Sequence, residues 1–191
     1  MFVPIGRLIQ VRSRATELAA LKRRLRAERT GAEHAAAREI RSLKARLAAA
    51  IGEVTSCATC AAGMPWPRGA YAGGDCCSGR TEHLFSDDEV AALAQAGTRP
   101  RDLVAPRGQH PGCAFRGAAG CTLDVEHRPT VCVRYACLGL QRELHRAGRL
   151  DAVEALAAEL AQALARFTAV VAARRERELL AQVARSLMPG A

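Results

Sequence analysis

DAVEALAAELAQALARFTAVV, residues 151–171, places its larger apolar side chains at Val153, Leu156, Leu160, Leu164, Phe167 and Val171. Steps of three and four residues put them on one face of an α-helix. Asp151 and Glu154 have the spacing of a capping box, the first carboxylate accepting from open amides of the first turn and the second reaching back. A helix is therefore predicted to open at Asp151. Leu180, Val183 and Leu187 continue the run until Met188-Pro189-Gly190 stops it. Upstream, Gly148 predicts the end of a shorter helix over Leu138 to Arg146.

The opposite end of the chain has the same period. Val11, Ala15, Leu18, Lys22, Leu25 and Arg29 form one seam, and Ala36, Ile40, Leu43, Leu47, Ala50 and Val54 form another with a shifted phase. The phase shifts at Ala36, and Thr30-Gly31 upstream of it predicts a break, giving one imperfect helix or a helical hairpin. These stripes are read as packing faces, and the N- and C-terminal helices are expected to lie side by side. Of the chain's net charge of +9, most lies between Arg7 and Arg46, where 12 Lys and Arg face 4 Asp and Glu. A solvated basic helix packed on the rest of the protein or on a second copy accounts for this. Nucleic-acid binding by the same helix is the alternative, but no aromatic side chain is interleaved for stacking and no DNA-reading motif is present.

Between the two helical ends, residues 57 to 137 hold all eight cysteines: Cys57, Cys60, Cys76, Cys77, Cys113, Cys121, Cys132 and Cys137. Disulfides would need an oxidising compartment. The N-terminus, Met1-Phe-Val-Pro-Ile-Gly-Arg7, puts a proline and then a basic residue where a signal peptide needs its apolar core. No apolar run of about 18 residues or more is seen that would span a bilayer. A cytoplasmic protein with reduced thiols is expected, with no membrane partner, and clustered thiols there point to metal. Composition agrees: seven aromatic residues serve the whole chain and the cysteine region is rich in glycine. Its apolar burial would struggle against chain entropy without metal ligation.

Individual spacings refine the picture. Cys57-Ala-Thr-Cys60 lets two sulfurs of one tight turn reach a single metal, and lacks the strand-then-helix setting of a thioredoxin-like site. Cys76-Cys77 brings neighbouring ligands that more easily serve two metal atoms than one tetrahedral zinc. Ser86-Asp-Asp-Glu89 is a second capping box, predicted to open a short helix over Val90 to Gln95 that Gly97 closes. His110 and His127 are read as loop or supporting residues rather than ligands, given eight thiols. Arg128 and Arg134 are candidates to hydrogen-bond or neutralise a thiolate-rich site, and Tyr135 to pack over it.

This order resembles the YkgJ-type cysteine-cluster family, described as a zinc- or iron-chelating domain. The matching features are the CxxC, the vicinal pair followed by Ser78-Gly79, the capped helix with Glu89, and the loop Cys113, Phe115, Gly120, Cys121. The last is Arg128-Pro129-x-x-Cys132-x-x-Tyr135-x-Cys137. The resemblance covers about residues 57 to 140 and implies that all eight cysteines are metal ligands, without saying which bind together. The fifteen residues from Ala61 to Asp75 depart from the family's short spacer, which leaves one centre or two open.

The expected fold is therefore mainly α, with long N- and C-terminal helices flanking a small loop-rich, metal-stabilised cysteine-cluster domain. Its spans are 1–55, 56–140 and 141–191. The expected function is chelation of zinc or iron, the iron as an ion or a [4Fe–4S] cluster, with the helices offering a surface to a protein partner or a second copy. The alternatives are an iron–sulfur-dependent protein-modifying enzyme and a nucleic-acid-binding protein. No Ser-His-Asp arrangement, phosphate loop or HExxH is present.

Overall fold

A computed structural model describes residues 5–57, 81–106, 113–117 and 120–187. The chain is mainly helical. Helix α1 spans Ile5–Ala27 and passes through a short 3-10 turn, Glu28–Thr30, before α2, His34–Ile51. Then follow α3 (Thr81–Leu84), α4 (Asp87–Gln95), a hairpin of β1 (Arg116–Gly117) and β2 (Gly120–Cys121), and a 3-10 turn at Val125–His127. Helices α5 (Thr130–Arg134), α6 (Leu138–Arg146) and α7 (Leu150–Leu187) complete the order.

The predicted break between α1 and α2 is present, and Gly31 within it packs closely against α4. A Cβ on Gly31 would lie 2.0 Å from Gln95 Nε2 and 2.5 Å from Gln95 Cδ. Gln95 is buried and its Oε1 accepts from the Glu33 amide at 2.9 Å, so the amide cannot withdraw without losing that bond. The link between α1 and α2 thus turns against the end of α4.

Helices α2 and α7 pack side by side, as the two seams predict. Ala37, Ile40, Leu43 and Leu47 meet Val153, Leu160, Ala163, Phe167 and Val171 in one apolar cluster. Ala91, Ala92, Val133, Leu140 and Leu144 join the same cluster, so residues of all three predicted spans share it. A second cluster gathers Leu21 and Leu25 of α1 around Phe85, Leu103, Cys113, Phe115 and Leu123. Helix α4 stands between the two and is buried from Glu89 to Gln95. It gives Ala91 and Ala92 to the first cluster and Val90, Leu93 and Ala94 to the second.

Some boundaries differ from the sequence prediction. Helix α7 begins at Leu150, so Asp151 sits inside the first turn, where its charge favours the helix dipole. Ser86 does cap α4, its Oγ accepting from the Glu89 amide at 3.3 Å. The Glu89 side chain does not complete the box and turns into the interior instead. Helix α6 has the predicted span, and Gly148 beyond it takes φ +65°.

No apolar run of about 18 residues that could span a bilayer is expected from the sequence, and one helix bears on that expectation by length and composition. Helix α7 contains an 18-residue window of mean hydropathy 1.4, long and apolar enough to cross a membrane. Much of that apolarity is alanine, and the helix lies along α2. Its Glu159 and Arg166 side chains pair with Arg46 and Glu39 of α2 at 3.5 and 3.0 Å.

Phe167 is wholly buried in the α2–α7 cluster. Phe167→Ala is expected to cost about 3–5 kcal/mol, measured as a fall in the urea midpoint with unchanged m-value. Gly52 ends α2 with φ +62°, and a Cβ there would lie 2.4 Å from Arg149 Nη1. Gly52→Ala is expected to destabilise by about 1–3 kcal/mol in the same assay.

Candidate metal centre

The cysteines are delivered by different elements, each braced by particular side chains. Residues 113–121 form the first support. Arg116 pairs with Cys121 and Gly117 with Gly120 across β1 and β2, and the Thr122 amide and hydroxyl both donate to the Phe115 carbonyl, at 2.9 and 3.0 Å. This folds Cys121 back beside Cys113, within electrostatic reach of it. Cys113 is buried in the second cluster, under Phe115, whose ring lies 5.5 Å from that of Phe85. The Thr81 hydroxyl accepts from the Ala114 amide at 3.0 Å and also hydrogen-bonds the Cys113 thiol. Burial pushes that thiol up, against the opposing effect of the Phe115 amide.

Arg128 ties this hairpin to the next cysteine. Its Nε donates to the Leu123 carbonyl at 2.8 Å and its Nη2 to the Cys121 carbonyl at 3.4 Å. The guanidinium therefore holds the strand that carries Cys121. Pro129 follows and starts α5, which carries Cys132 at its centre. Glu89 reaches this turn from α4: its Oε1 accepts from the Thr130 amide at 2.7 Å and its Oε2 from the Thr130 hydroxyl at 3.1 Å, with the Val131 amide also bonded. Lys44 of α2 completes the group, its Nζ donating to the Arg128 carbonyl at 2.7 Å and lying 3.8 Å from Glu89 Oε2.

Both charges of that pair are buried, at 1% and 5% exposure for Lys44 and Glu89. Burial drives the lysine amine below its usual range and the glutamate carboxyl above its own, each opposed by the partner's charge. Cys132 lies within electrostatic reach of the same amine.

The last support is the junction of α2 with α6 and α7. Arg149 donates to the Ile51 carbonyl at 2.6 Å and to the Glu53 carbonyl at 3.4 Å. Glu143 accepts from the Thr55 and Ser56 amides at 2.8 and 3.0 Å, which fixes the turn leading into Cys57. Donors of Ser56 and Thr55 around it hold the Glu143 carboxyl down to about 2. Cys137 precedes α6 in the same place. A Cβ built on Gly139 would lie 3.8 Å from Cys137 Sγ and 3.9 Å from Ser56 Cβ, so Cys137 and the Cys57 turn are neighbours.

The described thiols therefore lie in three places: Cys113 with Cys121 on the hairpin, Cys137 near the turn that leads into Cys57, and Cys132 beside Lys44. Among the described residues no three His, Cys, Asp or Glu side chains converge on one point as a metal would require. Cys60, Cys76 and Cys77 lie outside the described residues, as does His110. Thiolates are soft donors that suit zinc and iron–sulfur clusters, and these thiols fit such a group in donor type.

His127 is buried with Nδ1 3.0 Å from Thr98 Oγ1. Tyr135 is 45% exposed. A polar groove of about 260 Å³ between α2 and α7, lined by Glu39, Ser42, Arg46, Glu159, Gln162 and Arg166, contains no cysteine. Lys44 and Glu143 were not singled out from the sequence. Lys44 lies just outside its helix's apolar seam, and nothing in the spacing of Glu143 points to residues 88 positions earlier. No protein-family model, curated protein or solved structure matches the chain.

Because the Glu143 carboxyl is held below its ordinary value of 4.5, its contribution to stability is fully present above that value. It fades as pH falls toward about 2. An NMR titration is expected to place Glu143 near that lower value. Glu143→Gln should speed amide exchange at Thr55 and Ser56 and flatten the acid limb of the stability curve.

Proposed function

We propose that this chain is a thiolate metal-binding protein. It holds zinc or iron, the iron as an ion or within a [4Fe–4S] cluster, through Cys57, Cys60, Cys76, Cys77, Cys113, Cys121, Cys132 and Cys137. The observation that carries this reading is the bracing of Cys113 and Cys121. A hairpin with two-residue strands is too short to hold itself together, yet Thr81, Arg128 and the Phe85–Phe115 pair fix it from three sides. Such bracing is understandable when the two thiols it sets side by side have a joint task.

The resemblance to the YkgJ-type family supports the same conclusion. Its most specific segment, Arg128 to Cys137, is where the bracing side chains converge. Metal ligation requires reduced thiols, so a cytoplasmic setting is part of the proposal. The helices are proposed to present the centre to a protein partner or a second copy, for which α7 offers the exposed side chains Leu180, Val183 and Leu187. The basic helix is read as structural. Arg24, Arg41 and Arg46 pair with Asp87, Glu126 and Glu159, and Lys44 with Glu89.

Anaerobic purification followed by metal analysis, acid-labile sulfide assay and a visible spectrum tests the reading. Stoichiometric zinc or iron is expected, and absence of both overturns it. Sulfide with a brown colour identifies the cluster form, and a colourless zinc protein the ion. Cys113→Ser and Cys121→Ser are each expected to lower bound metal by at least half while the far-ultraviolet spectrum stays helical.

A further inference from the structure

Lys44 belongs to the basic helical part of the chain, and the nearest cysteine in sequence is Cys57. Even so, its amine ends in the interior beside the Arg128–Cys132 segment. Burying an ammonium and a carboxylate together carries a desolvation cost that hydrophobic residues of the same size would avoid. Stability alone therefore gives little reason for the pair. What the pair does supply is direction.

The Lys44 amine donates to the Arg128 carbonyl at 2.7 Å, and the Glu89 carboxylate takes the Thr130 amide at 2.7 Å and its hydroxyl at 3.1 Å. Pro129 lies between, so the backbone is gripped on both sides of a residue whose φ is already fixed by its ring. Cys132 follows within one turn. From the same Arg128, the guanidinium runs outward to the Leu123 and Cys121 carbonyls at 2.8 and 3.4 Å. Two continuous paths result, from Lys44 through Arg128 to Cys121, and from Glu89 through Thr130 to Cys132.

We propose that Lys44 and Glu89 are positioning residues of the metal centre, which fix the backbone that carries Cys132 and, through Arg128, the backbone that carries Cys121. The proposal rests on the metal-binding reading and extends the centre into α2, beyond the cysteine-rich region. Groups that orient metal ligands without touching the metal typically contribute 10- to 100-fold in affinity, and the same range is expected here.

The test uses the full chain and cobalt(II), whose thiolate charge-transfer bands count sulfur ligands, with zinc competition to give affinities. Lys44→Met breaks the pair, and Lys44→Met with Glu89→Leu replaces it by apolar side chains that a packed interior tolerates. The expected result is a double variant that keeps wild-type helical content, with a thermal midpoint lowered by the loss of partners for the Arg128 carbonyl and the Thr130 amide and hydroxyl, cobalt affinity lowered about 10- to 100-fold, and weaker thiolate bands. Arg166→Ala, which removes an exposed ion pair elsewhere, should leave affinity within twofold. A folded double variant with wild-type affinity and bands overturns the proposal. If the double variant does not fold, Glu89→Gln decides by the same criteria, since it keeps the shape and an acceptor for Thr130. Wild-type protein that binds neither metal overturns the metal-binding reading itself, a different outcome from wild-type and variants binding equally well.

Discussion

Two charges without access to water constrain the centre of this molecule. An ammonium and a carboxylate survive in the interior only when nearly every donor and acceptor they carry is matched. Toward this, one short stretch of backbone around Pro129 supplies the Arg128 carbonyl to the Lys44 amine and the Thr130 amide and hydroxyl to Glu89. The requirement fixes three elements at once: α2, which carries the lysine, α4, which carries the glutamate, and the turn into α5. Helix α4 can therefore stand between two apolar clusters without sliding, although many of its buried side chains are alanine. Alanine makes a smooth contact, and the ion pair supplies the register that larger side chains would otherwise give.

The hairpin and the α2–α6–α7 junction depend on this anchor in different ways. Arg128 transmits it to the hairpin through carbonyl contacts, one of them on the backbone of Cys121. The junction carries its own fastenings, with Arg149 and Glu143 gripping residues 51 to 56. A cysteine-bearing segment can thus be poor in large apolar residues and still be ordered. Each short piece is attached to a helix by a charged side chain ending on main-chain atoms.

Much of this architecture was legible in the order of residues. Helical period identified the α2 and α7 faces because each is long enough for the pattern to repeat several times. Ser86, Gly31 and Gly148 marked ends through purely local chemistry. The residues that brace the cysteines were not legible, because their meaning lies across the fold. Lys44 looks like one more cation in a basic helix, and its partner Glu89 like the second half of a capping box. Arg128 reads as a neighbour of cysteine sulfur, whereas its hydrogen bonds go to carbonyls. The eight cysteines could be ordered from the sequence, but their grouping depends on a hairpin too short to show a strand period and on a junction between distant helices.

Helix α7 continues well past the body that secures it. Among the described residues Arg174 and Arg175 make its last ion pairs to other elements, with Glu33, Glu28 and Asp88, and from Glu176 onward every side chain to Leu187 is exposed. At a rise of 1.5 Å per residue this is an arm of about 18 Å. A free peptide of that length would hardly be helical, because starting a helix is the costly step. Here the buried turns around Phe167 have already nucleated it, so each further residue only propagates. Order in the arm is borrowed from the α2–α7 seam, and loosening that seam would unwind a surface that touches none of it.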